Sequence, residues 1–197
     1  MTSSRSRTAH RRTTHSCTTH VYIATSLDGY VARKDHNLDW LNSIDAQGED
    51  MGYEAFVDSV DVIVMGRGTF QTVLGFGIDW PYTKPVVVVS RSMTEADIPA
   101  DIRDVVRLNN KAPADLMQEL GADGVKRIYL DGGQLVQSFL REGLVDDVIL
   151  TVAPVLLGDG IRLFGALDAD VHLDLLDVQR FKCGMVQSHY KVVESTS

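Results

Sequence analysis

Val62-Ile63-Val64-Met65-Gly66-Arg67-Gly68-Thr69-Phe70 is the stretch that decides the fold: an apolar, β-rich run reaches glycine and passes at once into a helical pattern. Ile128-Tyr129-Leu130-Asp131-Gly132-Gly133-Gln134 repeats the arrangement. Such a junction aims the unpaired N–H groups of a helix start, and the positive end of its dipole, at one point. Glycine lets an anion approach that backbone closely. Two such junctions in one small domain predict a dinucleotide lying across the carboxyl ends of a sheet. The first is not a Rossmann fingerprint, because Gln71 stands where the third glycine belongs.

Outward from these junctions, strands and helices alternate. The patterns predict strands over Thr19–Thr25, Asp61–Met65, Pro85–Ser90, Val105–Leu108, Arg127–Leu130, Asp147–Val152, Val171–Val178 and Lys182–Val193, with Gly184 as a bulge. Helices are predicted over Gly48–Ser59, Gly68–Leu74, Ala112–Gly121 and Gly133–Glu142, with Pro113 in a first turn and Gly121 and Gly143 as stops. Ile63–Met65 and Val86–Val89 are near-continuous apolar runs, as in strands covered on both faces. The last two strands alternate more. The fold class is therefore three-layer α/β, a mostly parallel central sheet with an antiparallel C-terminal hairpin.

At 197 residues with 44% apolar content the chain suits one core, and no run approaches the roughly 20 apolar residues of a bilayer span. Residues 1–19 are rich in Ser, Thr, Arg and His and read as a disordered extension, leaving the body from residue 20. His10, His15 and His20 are spaced for neither a helix face nor a strand face and read as solvated. Removing the four arginines of that segment leaves 15 Lys and Arg against 27 Asp and Glu. A body so acidic argues against a nucleic-acid partner. The excess of Asp over Glu would also suit a high-salt cytoplasm. Cys17 and Cys183 make no metal or disulfide pattern, which points to a reducing compartment and no metal site.

Val86-Val87-Val88-Val89 runs into Ser90-Arg91-Ser92 at the sheet's carboxyl edge. With Arg67 at the end of the preceding strand, this places two guanidinium groups and a hydroxyl where a phosphate dianion fits. That favours NADPH over NADH, whose enzymes place an acid there. Thr69 reads either as a capping hydroxyl or as a phosphate donor. Asp131, directly before the glycines, would repel a pyrophosphate and so points towards a substrate or bonds locally. Arg162 reads as solvated, Trp80-Pro81-Tyr82 as loop packing, and His172 and His189 as ordinary strand residues. Asp28-Gly29 makes a turn after the first strand.

Together these segments resemble the dihydrofolate-reductase-like superfamily, and most nearly the reductase domain of riboflavin-biosynthesis enzymes with its stand-alone relatives. The resemblance is carried by Ala24-Thr25-Ser26-Leu27-Asp28-Gly29-Tyr30, Leu38-Asp39-Trp40-Leu41, Met65-Gly66-Arg67-Gly68-Thr69-Phe70, Val88-Val89-Ser90-Arg91 and Asp131-Gly132-Gly133-Gln134-Leu135. It continues through Gly143–Asp147 and Pro154–Phe164, covering residues 19–193 in order. It implies a reductase domain over residues 20–197, NADPH across the strand ends, a homodimer and a cytoplasmic setting. By the same resemblance Ala24 and Val31 flank the nicotinamide, and Trp40 lies near nicotinamide and substrate. Gly66, Arg67 and Thr69 hold the adenine-side phosphates and Ser90 with Arg91 the 2′-phosphate. Gly132, Gly133, Gln134, Leu135 and Val136 wrap the pyrophosphate.

The implied reaction is hydride transfer to a pyrimidine- or pterin-like heterocycle, most nearly the reduction of 5-amino-6-(ribosylamino)uracil. Asp131 stands where the riboflavin enzymes carry a substrate-binding glutamate. Folate reductases instead use an acid on the helix before the Met-Gly-Arg strand, and the same distance back from Met65 reaches Asp50. Asp50, Asp131 and a bound water thus compete as proton source. Two rivals stand beside this reading: dihydrofolate reduction, and a non-catalytic NADP-binding dimeric module.

Overall fold

The structure is a computed structural model that describes residues 16–193. Ten strands and five α-helices follow in the order β1 (Thr18–Ser26), β2 (Tyr30–Ala32), α1 (Asp39–Asn42), α2 (Tyr53–Asp58), β3 (Val62–Gly66), α3 (Arg67–Leu74), β4 (Val86–Val89), β5 (Val106–Asn109), α4 (Pro113–Ala122), β6 (Arg127–Asp131), α5 (Gly133–Arg141), β7 (Asp147–Ala153), β8 (Ile161–Arg162), β9 (His172–Arg180) and β10 (Val186–Val193). Eight strands form one sheet in the order β5-β4-β3-β6-β1-β7-β10-β9. The first six run parallel; β10 and β9 are antiparallel.

The parallel strands are apolar on both faces because helices cover both. On one side α4 and α5 pack Leu116, Met117, Val136 and Phe139 against Val21, Val64, Ile128 and Leu130. On the other, Phe56 and Val57 of α2 and Phe70 of α3 pack against Ile63, Met65, Val88 and Tyr129. The three-layer arrangement expected from the sequence is what the structure shows.

Several boundaries move. Thr18 and Thr19, expected in the extension, pair with Arg127 and Ile128, and Cys17 is buried beside Met117. Residues 1–15 of that extension, His10 and His15 included, lie outside the described residues. His20 is buried, not solvated: its Nδ1 bonds Asp147 Oδ2 at 2.6 Å and its Nε2 meets Thr18 Oγ1 at 2.8 Å. The helix expected over 48–59 shrinks to α2. Gly48 and Gly52 take φ of 71° and 83°, so the chain loops where periodicity suggested a helix. Gly184 is no bulge; at φ 88° it turns the β9–β10 hairpin, and the ladder slips between His189 and Tyr190 instead. The short elements β2, β8 and α1 carried too few residues to show a period.

Candidate active site

β3 and β6 lie side by side, with Met65 opposite Asp131, so the two glycine junctions open on the same edge. Strand order reverses direction around β6, which makes this the crevice where ligands of α/β sheets bind. Gly66 caps α3 and Gly132 caps α5, and neither helix start has a side-chain cap bond. Among the five described α-helices, these two alone lack an acid in the first turn. Two positive dipole ends with no acid in their first turns therefore stand adjacent.

Glycine is required at this point. Gly132 has φ 101°, and a Cβ there would run into Thr69 Oγ1, which shows how closely the two junctions abut. A Cβ on Gly133 would stand 2.6 Å from the carbonyl oxygen of Arg162 and 3.3 Å from Val31 Cγ2. Thr69 is thus the third residue of α3 rather than its cap. Val136 is fully buried and its N–H already donates to Gly132 O at 3.0 Å, so its part in this turn is structural. Gln134 is exposed at the helix start and Leu135 is buried in the core beneath it.

The next strand end brings the basic groups. Gly66 is opposite Val89, so Arg67 and Ser90-Arg91 emerge together. Arg67 Nη1 donates to Ser92 Oγ at 3.3 Å. Ser90 Oγ accepts from the N–H groups of Ser92 and Met93 at 3.2 and 3.1 Å, which fixes the turn and leaves its own proton to donate. Both arginines are exposed.

Asp131 is partly buried, and burial pushes its carboxyl up to about 6, against the opposing pull of the Gly132 N–H. It stands among phenols. Burial, then the Asp131 carboxylate, raises Tyr53 to about 12 and pushes Tyr82 and Tyr129 well above the usual phenol range. Asp50 is different. It is exposed in the loop before α2, where its Oδ1 accepts from Gly52 N at 2.7 Å as a local turn. The sequence-based placement of Asp50 in a helix's first turn does not hold.

Trp40 of α1 is 4% exposed and packs between Ala24 and Ala153, at the carboxyl ends of β1 and β7, and Phe181 and Met185 of the hairpin. Its indole Nε1 is buried with no hydrogen-bond partner. An unpaired donor in that position is costly unless a ligand accepts from it.

Sequence reasoning missed the pins that hold the mouth together. Asp28 accepts from Ser26 Oγ, Leu157 N and Gly158 N at 2.6, 3.1 and 2.7 Å, with the Ser26 hydroxyl foremost in holding its carboxyl down at about 2. Arg162, expected to be solvated, lies over the Tyr30 ring at 4.6 Å and donates to its hydroxyl at 2.9 Å. Tyr22 donates to Met51 O at 2.6 Å and receives Gln187 Nε2 at 3.0 Å, tying the α2 loop to β10. Apart from Ser26 and Asp28, these partners are more than 25 residues apart in sequence, and no local pattern reports them.

The sequence model for the RibD C-terminal domain matches residues 19–187. The chain is 34% identical over 171 residues to the uncharacterized protein YwjB of Bacillus subtilis, covering 86% of this chain and 95% of that one. A putative riboflavin biosynthesis protein from Shewanella sp. PV-4 is 40% identical and superimposes with a TM-score of 0.84 over 89% of this chain and 99% of its own. A diaminohydroxyphosphoribosylaminopyrimidine deaminase/5-amino-6-(5-phosphoribosylamino)uracil reductase of Thermotoga maritima shares the fold at 12% identity and TM-score 0.67; this chain spans 57% of it. The chain therefore belongs to the RibD C-terminal domain family.

Proposed function

We propose that the protein is an NADPH-dependent reductase transferring hydride to a pyrimidine- or pterin-like heterocycle, of the kind that reduces 5-amino-6-(ribosylamino)uracil in riboflavin biosynthesis. One observation carries this reading: two uncapped, acid-free helix starts meet where Thr69 abuts Gly132, a cradle that any side chain would fill. The first-turn N–H groups of Gly133, Gln134 and Leu135 would hold a pyrophosphate. Those of α3, with Arg67, Ser90 and Arg91, would hold the adenosine-side phosphates. Bound NADPH would supply hydride from nicotinamide C4. Ala24 and Val31 then border the ring, and Trp40 Nε1 donates to a carbonyl of the substrate. Asp131, protonated in a useful fraction near neutrality, gives the proton to the heteroatom beside the reduced carbon.

The hairpin supports the homodimer that belongs to this reading. The slip at His189/Tyr190 leaves Leu176 as an extra residue between Leu175, opposite Tyr190, and Asp177, opposite His189; a bulge of this kind brings Leu173, Leu175, Leu176 and Val178 to one face and His172, Asp174, Asp177 and Gln179 to the other. Those four apolar side chains are 43–57% exposed. A second copy, face to face, is the occupant that fits. No helix among the described residues is long and apolar enough to cross a membrane, and two free cysteines suit a reducing cytoplasm.

Loss of the NADPH absorbance with the ribosylaminopyrimidinone and with dihydrofolate tests the activity. Turnover of the first is expected. Turnover of dihydrofolate alone would move the substrate to a pterin. Tight NADPH binding with no turnover of either would leave only the binding module.

A further inference from the structure

The turn between β2 and α1 carries a side chain the account above leaves unused. His36 has φ 67°, in the left-handed region that glycine enters freely and histidine does not. Its N–H donates to Arg33 O at 3.0 Å, and Arg33 N donates to Asn37 O at 3.0 Å. Arg33 Nε reaches Asp39 Oδ1 at 2.6 Å and closes the base of the turn. These bonds fix where the imidazole stands. A Cβ built on Gly68 would lie 2.7 Å from His36 Cε1 and 3.2 Å from its Nδ1, so the ring rests on that glycine's backbone. Gly68 is the second residue of α3, inside one of the two acid-free first turns. Val31, in the strand leading to the same turn, lies against Gly133 at the start of α5. One segment, residues 31–36, thus spans both helix starts.

We infer that His36 is a positioning residue for the cofactor, donating to its pyrophosphate from beside the first turn of α3. The inference rests on the NADPH reading above and adds a group that sequence and fold alone did not assign. A donor held against the α3 start, in the segment that also touches the α5 start through Val31, serves the phosphates shared by NADPH and NADH, whereas Arg67 and Arg91 serve the 2′-phosphate that only NADPH carries. The ring has no hydrogen-bond partner among the described residues, so its position does nothing for the turn that glycine would not do.

Titration calorimetry with NADPH, NADH and 2′-AMP, which has the 2′-phosphate and no pyrophosphate, separates the roles. For His36→Gly the dissociation constants of NADPH and NADH rise together, roughly tenfold for one charge-assisted bond. Its affinity for 2′-AMP is unchanged, and its Tm is equal or higher because glycine accepts the left-handed backbone. His36→Asn, which tolerates the same backbone, gives the parallel result should the glycine variant fold poorly. Wild-type binding with unaltered NADPH affinity in both variants overturns the role of His36 alone, as does a loss for 2′-AMP as large as for NADPH. A wild-type protein that binds none of the three overturns the cofactor reading and this inference with it.

Discussion

Asp131 is set apart because burial favours the protonated form of its carboxyl. Moving the carboxyl from 3.8 to about 6 means the folded protein holds that proton better than the unfolded chain. The associated stability is present in full below about pH 4 and lost as pH rises through about 6, an upper bound of ~3 kcal/mol. Asp131→Asn removes this penalty. At pH 8 the variant should melt higher than wild type while turning over at least tenfold more slowly, as general-acid loss requires. A thermal melt beside a rate measurement checks both, and equal turnover would remove Asp131 from the mechanism. In wild type, kcat should fall as pH rises past the carboxyl's value, and a flat profile between pH 5 and 8 would contradict the assignment. At the basic end of the site, Arg67→Ala with Arg91→Ala should weaken NADPH by about 1.5–3 kcal/mol per lost charge-assisted bond and NADH far less. Equal loss for both cofactors would place the 2′-phosphate elsewhere.

Elements explain why the site was legible in part. The junctions at Gly66 and Gly132 were readable because strand, glycine and helix follow one another within a few residues, and the structure sets them on adjacent strands. The helix written over 48–59 was not, because an apolar period says nothing of the positive φ at Gly48 and Gly52. Asp50 moved with it, out of a helix and into a turn. Trp40 was found through resemblance, but its four-residue helix and unpaired indole are visible only in three dimensions. The β2–β8 ribbon was invisible for the same reason, since its strands are short and lie far apart in sequence. That ribbon presses on Gly133, so Gly133→Ala drives a methyl into the Arg162 carbonyl, backbone against backbone. Denaturant unfolding should show a loss of about 1–3 kcal/mol and NADPH binding should weaken with it. An alanine variant as stable as wild type would mean that the ribbon does not hold the α5 start in place.

For the whole molecule, the sheet runs from a fully covered parallel half to an antiparallel edge with one bare apolar face. The parallel body and the antiparallel C-terminal edge could be anticipated from alternation and apolar runs, but the order of the strands and the slip at His189/Tyr190 could not. Leu175→Lys with Leu176→Lys should convert a dimer to a monomer in light scattering without unfolding it, because both positions are exposed within one chain. A monomeric wild type would remove the dimer from the account. The cradle itself is tested most directly by a crystal structure of the protein with NADPH. The pyrophosphate should lie within about 3 Å of the first-turn N–H groups of α5, with the 2′-phosphate between Arg67 and Arg91. A cofactor bound elsewhere on the chain, or fully occupied crystals with those N–H groups facing only water, would contradict it.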